Sequence, residues 1–170
     1  MSKRALKKYL SELEKDQLQE QIMDLYERFK EVKTFYDFVF NPKEDKLIDD
    51  CKAKIAKEYF PTNGRKPKMR RSVAQKHIKH FIQIGVEPRL IADIMLYNIE
   101  IAQTFSEEKR PKQEAFYKSM HKSFHESIGF ISHHGLLEEF KSRIITIFEN
   151  VENQNWYNVY AFEKTLDQID

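Results

Sequence analysis

The sequence has one cysteine, Cys51, only four glycines, and no apolar run approaching the roughly 18 residues of a membrane span. A lone cysteine excludes an intramolecular disulfide and suits a reducing compartment, so a small buried thiol in a cytoplasmic protein is expected. Scarce glycine leaves no glycine-rich phosphate loop, and no serine or cysteine stands in a nucleophile motif. The first residues, Met1-Ser2-Lys3-Arg4-Ala5-Leu6-Lys7-Lys8, are basic but run into a charged amphipathic stretch without the apolar core of a secretion signal, so no export is expected. Nor is there a large imbalance between positive and negative residues. Lys and Arg number 29 against 27 Asp and Glu, a formal net charge of +2, and the sum by itself implies neither nucleic acid nor an acidic partner. Low-complexity segments and a fixed internal repeat are absent. With 170 residues the chain is long enough to bury a core without staples, and a single domain over 1–170 is expected.

What the chain does have is helical spacing almost everywhere. Leu6, Tyr9, Leu10 and Leu13 fall at i, i+3, i+4, i+7, and Leu18, Ile22, Leu25 and Phe29 repeat the pattern after a charged break. Val32 to Phe40 carries Phe35, Tyr36, Phe38, Val39 and Phe40, a composition that also suits a strand. With helical patterns on both sides and no partner strand in reach, it is read as helix. Asn41-Pro42, with Glu44 behind, predicts an N-cap and first turn for a fourth helix lined by Leu47, Ile48, Cys51, Ile55 and Tyr59. Val73, Ile78, Phe81 and Ile84 run to Gly85, a good residue for a left-handed helix end. Leu90 to Phe105 is apolar on more than one face and predicts a central helix. Pro111 is expected to open a seventh, with Phe116, Met120, Phe124, Ile128 and Ile131, closed by Gly135. An eighth uses Leu137, Phe140, Ile144, Phe148 and Val151, and a terminal helix carries Trp156, Val159, Phe162, Leu166 and Ile169. The fold class is therefore all-α, a multi-helix bundle or stacked helical hairpins of eight or nine helices, with an exposed basic loop at residues 60–70.

That loop opens the strongest electrostatic feature. Between Glu58 and Glu87 there is no acidic residue, while Arg65, Lys66, Lys68, Arg70, Arg71, Lys76 and Lys79 supply seven positive charges, with His77 and His80 beside them. One reading is an anion or nucleic-acid site, a basic loop leading into a helix N-terminus where backbone amides and the dipole also favour phosphate. The other is a solvated face. An acidic tail, Glu149, Glu152, Glu163, Asp167 and Asp170, offers one place for the block to be met, and aromatics are not interleaved with the loop's cations as single-strand binding favours.

Other constellations carry less. His121 and His125, four apart, are weak metal candidates, because two ligands on one helix face need others from elsewhere and no E-x-x-H pair exists. His133-His134 suit a helix C-terminus, and His77 a hydrogen-bonded core histidine. Asp45 with Asp49, and Asp93 with Glu100, have helical spacing but are expected to face solvent. Catalytic residues, a cofactor and a metal are not expected. Phe35, Phe38, Trp156 and Tyr160 are candidates for a protein interface, since aromatics dominate interface energetics.

Two stretches carry a family likeness: Phe29-Lys30-Glu31-Val32-Lys33-Thr34-Phe35-Tyr36-Asp37-Phe38-Val39-Phe40-Asn41-Pro42, and Arg70-Arg71-Ser72-Val73-Ala74-Gln75-Lys76-His77-Ile78-Lys79 with Ala92-Asp93-Ile94-Met95-Leu96-Tyr97. Together they resemble a family of small bacterial proteins, frequent in Bacteroidetes, catalogued as a domain of unknown function. The resemblance implies a helical cytoplasmic protein and transfers no site. The expected function is that of a non-enzymatic helical binding or scaffold protein, acting on a protein partner or by self-association and not on a membrane. Nucleic-acid or phosphate binding through 65–79 is the alternative, and a metal-dependent enzyme stands third.

Overall fold

The computed structural model describes residues 2–40, 42–62 and 64–168, and among them are nine α-helices and no strand. The all-α expectation, with eight or nine helices, holds. By its contacts the chain divides into two compact units, Met1–Lys43 and Glu44–Asp170, at a point where the sequence marked no boundary.

The first unit holds α1 (Lys3–Ser11), α2 (Lys15–Arg28) and α3 (Lys30–Phe40). Ser2 caps α1, its Oγ accepting the Ala5 N–H at 3.2 Å, and Gln17 Oε1 accepts the Glu14 N–H at 2.9 Å in the first turn of α2. Phe29 alone separates α2 from α3. Its backbone is extended at φ −116°, ψ 114°, yet its N–H still reaches Leu25 O and its carbonyl accepts from Lys33, so the chain bends without losing its hydrogen bonds. The segment from Val32 is thus helix despite its strand-like composition. Across the bend, Tyr26 Oη donates to Asp37 Oδ1 at 2.9 Å, and Tyr36 packs on Tyr26, Phe35 and Phe40. No residue of α1, α2 or α3 is buried.

The second unit holds α4 (Glu44–Tyr59), α5 (Arg71–Ile84), α6 (Pro88–Lys109), α7 (Glu114–His133), α8 (Leu137–Asn153) and α9 (Val159–Leu166). Helix α6 is central, touching α4, α5, α7 and α8. It is lined on several sides by buried Ile91, Ile94, Leu96, Ile99 and Phe105, which is why its apolar residues do not confine themselves to one stripe. Pro88 sits in its first turn, where the missing N–H costs nothing. Gly85 ends α5 in the left-handed conformation, φ 79°, as the sequence implies. Two proline signals misplace a helix start. Helix α4 begins at Glu44, two residues beyond Pro42, and α7 begins at Glu114, three beyond Pro111, whose carbonyl instead accepts the Tyr117 hydroxyl at 2.8 Å. The expected cap Asn41 lies outside the described residues, as does Ile169 of the terminal helix.

Trp156 is 2% exposed and packs against Phe116, Tyr117 and Phe162 with ring centroids 5.1–5.8 Å apart, its Nε1 donating to Gln154 Oε1 at 2.9 Å. Rings so buried contribute about 1.5–3 kcal/mol each. This corrects the expectation of an interface role for Trp156, since a core ring offers no surface to a partner.

Candidate interaction surfaces

The N-terminal unit places an unusual amount of apolar side chain in water. Leu6, Tyr9, Leu10, Ile22, Met23, Leu25, Phe29, Phe35, Val39 and Phe40 are all exposed, Phe40 at 76%. Phe35, expected at an interface, is among them, and Phe38 on the same helix is half-buried. Tyr160, the fourth aromatic candidate, belongs to the other unit and is 73% exposed on α9. Between α1 and α2 lies an open cleft of about 580 Å³ lined by Tyr9, Leu13, Gln17, Glu20, Gln21, Asp24 and Leu25, with Gln21 Nε2 donating to Tyr9 Oη at 2.6 Å.

The basic segment is organised around acidic residues that adjoin it in space. Glu58, at the end of α4, accepts the backbone N–H groups of Lys68 and Met69 on its carbonyl at 2.9 and 3.0 Å, and the Arg70 fork on its carboxylate at 2.8 Å twice. Arg70 donates hydrogen bonds that hold the Glu58 carboxyl below its ordinary value, outweighing partial burial. Met69 is drawn into a left-handed backbone, φ 51°, by the same staple. Arg71 turns inward, its Nε donating to Ser123 Oγ at 2.8 Å and its Nη2 pairing with Glu126, so that it pins the start of α5 to α7. Arg70 and Arg71 therefore hold the fold together, and the partners are Glu58 and Glu126 rather than the acidic tail.

The other five cations, Arg65, Lys66, Lys68, Lys76 and Lys79, are exposed and make no ion pair among the described residues. Arg65, Lys66 and Lys68 join Lys57, Glu58, Pro61, Thr62 and Arg70 around a cavity of about 250 Å³. Lys57 was not singled out from sequence; its place in the last turn of α4, next to Glu58, is the only local hint. On the adjoining helix, burial pushes the His77 imidazole below its ordinary value, and Lys54, His80 and Lys76 push it the same way.

The histidine pair gathers no further ligands. His121 is half-buried, with Nε2 3.1 Å from Thr165 Oγ1, while His125 is exposed. Burial lowers the His121 pKa, with a smaller push from His125, against a hydrogen bond at the Ala161 backbone. Among the described residues no group of three or more His, Cys, Asp or Glu side chains stands close enough to hold a metal ion. Nor, among them, is any helix long and apolar enough to cross a membrane.

A family model, described as a family of unknown function (DUF6155), matches residues 1–170, the whole length of both units. The chain belongs to this family. Neither a curated protein nor a solved structure matches it.

In this DUF6155 chain one polar cluster escaped the sequence reading. Asp93 and Glu100 on α6, expected in solvent, are partly buried and share Arg143 of α8. Arg143 Nη1 donates to Asp93 at 2.6 Å and Nη2 to Glu100 at 2.7 Å, while Lys52 of α4 reaches the other Asp93 oxygen at 2.6 Å. Burial works to raise the Asp93 pKa, but the hydrogen bonds from Lys52 and Arg143 outweigh it and hold the carboxyl low. For Arg143 burial works downward and the two carboxylates overcome it. Their partners are 43 and 50 residues away in sequence, so no local pattern announces them. With every charge satisfied and the groups tying α4, α6 and α8 together, the cluster is structural.

Proposed function

We propose that the chain is a non-catalytic interaction protein whose N-terminal unit presents a docking face for another polypeptide, while α4–α9 form its folded base. One observation carries this: a unit of residues 1–43 holds three amphipathic helices and, among its described residues, none that is buried. Units near 40 residues ordinarily need a disulfide, a metal or an association to be stable. This one has no cysteine, and among its described residues no metal-ligating group. Helices of 9, 14 and 11 residues are marginal alone, which leaves association as the source of their stability. The family resemblance and the single buried cysteine favour the bacterial cytoplasm as its location.

The test is a photo-reactive amino acid placed at Met23 or Phe40 of the full chain in cells, with exposed Gln83 of α5 as the control. A discrete adduct from the first two positions and none from the control is expected. No adduct, or equal adducts from all three, overturns the reading.

A second reading rests on the cavity ringed by Lys57, Arg65, Lys66 and Lys68, which suits a phosphate group of RNA or DNA. Because Arg70 and Arg71 are structural, the informative variant changes Arg65, Lys66 and Lys68 to Gln. Salt-sensitive binding in the wild type that is lost in this variant supports the reading; equal inertness of the two dismisses it.

A further inference from the structure

We infer that the partner of the N-terminal unit is a second copy of the same chain, with α1 of each copy seated in the α1–α2 cleft of the other. The inference rests on the docking-face reading above and adds the occupant.

Three features of the unit fit together. Helix α1 carries four cations, Lys3, Arg4, Lys7 and Lys8, and no acidic residue. On a helical projection these occupy one side, and Leu6, Tyr9 and Leu10 the other. Helix α2 is the electrostatic complement, with Asp16, Glu20, Asp24 and Glu27 falling on a single face. The cleft between the two helices is walled by Leu13, Leu25 and Tyr9 and rimmed by Glu20 and Asp24, so its floor suits leucines and its rim suits lysines. A short helix with the α1 pattern is what it would accept.

The charges of α1 are not consumed at home. Among the described residues none of its four cations makes an ion pair, and the one pair in the unit, Asp24 with Arg28, is exposed on both sides and worth little. A twofold arrangement uses the complementarity twice, since basic α1 of one copy meets acidic α2 of its partner and the reverse holds across the axis. The exposed stripe of Leu6, Leu10 and Leu25 is covered in the same step, which would give the unit the core it lacks alone. A heterologous partner would have to imitate α1, whereas a second copy carries α1 already.

The test uses the full chain and two charge variants of exposed residues. In one, Lys3, Arg4, Lys7 and Lys8 become Glu; in the other, Glu20→Lys and Asp24→Lys. Light scattering after size exclusion should give the wild type twice the 20.5 kDa chain mass at micromolar concentration. Each variant alone should associate at least tenfold more weakly, because α1 and α2 then carry the same sign. An equimolar mixture of the two should restore the dimer, as a heterodimer. A wild-type monomer, or a dimer indifferent to both variants, overturns the inference. Hydrogen exchange on a monomeric wild type then separates it from the reading beneath. Rapid exchange across α1–α3 leaves a docking face awaiting another protein, and binding of that monomer to phosphatidylserine vesicles would make the basic helix a membrane contact instead. Strong protection without association means the helices are covered within their own chain and overturns both.

Discussion

Helices α1–α3 and helices α4–α9 share one kind of amphipathic pattern, and the chain uses it to opposite ends. In the second set the apolar stripes close on one another around α6, and residues such as Ile94, Leu96, Ile99, Phe124 and Phe162 lose all contact with water. In the first, stripes of equal quality bury nothing. An amphipathic period states which face of a helix will be covered. It does not state by what, and the contacts within the first unit leave none of the residues of α1–α3 buried.

The sharpest way to break that contrast is through Cys51. Burial pushes its thiol up to about 11, against the pull of Lys54 and Lys52, and the side chain is 1% exposed. Labelling by a disulfide reagent at pH 8 should be slower in the native chain than in the unfolded one by a factor of about 10³ or more, the reciprocal of the unfolded fraction. Rapid native labelling would mean that α4–α9 open easily and that the two units differ less than they appear on burial. Next in size is the core itself. Phe124→Ala should cost about 3–5 kcal/mol in denaturant unfolding, whereas Leu25→Ala should change the unfolding of the monomer by no more than about 0.5 kcal/mol and act on association instead.

Arg143→Ala probes the C-terminal unit with electrostatics, and half-burial of the cluster puts its cost at about 1–3 kcal/mol at pH 7. The pH dependence has a definite sign. Asp93 has a depressed folded pKa, so its contribution is fully present above the ordinary carboxylate value near 4 and is lost as pH falls through the folded value. Urea midpoints of wild type and variant should therefore differ most at pH 7 and converge in acid as pH falls through the depressed folded value. A gap that persists in acid would mean that Arg143 acts through its packed stem rather than its charge.

How far these features can be read from sequence follows from their range. Helix identities, the left-handed stop at Gly85 and the centrality of α6 are local or compositional, and all were legible. The starts of α4 and α7 were not, because Pro42 and Pro111 also suit the extended residues just ahead of a helix. Charge partners were harder still. The Arg70 fork closes on Glu58, 12 residues back, and Arg71 on Glu126, 55 residues on, so two of the seven charges in a basic run that holds no acidic residue are met in space. Trp156 and Tyr160 sit four apart with opposite exposure, which composition cannot distinguish.

The smallest expected effect discriminates best between coupled and independent units. Ser2→Ala removes the hydroxyl that caps α1 and should cost that helix about 0.5–1 kcal/mol. Because α1 has no buried residue, the loss should register as faster hydrogen exchange at the α1 amides, beginning with Ala5, while the unfolding midpoint of α4–α9 stays where it was. Gly85→Ala makes the matching change at the other unit, forcing a Cβ into φ 79° at a cost of about 1–2 kcal/mol that the global midpoint should report. If Ser2→Ala lowers that midpoint as well, α1 is held by the same cooperative structure as α6, and the N-terminal face would be covered from within the chain.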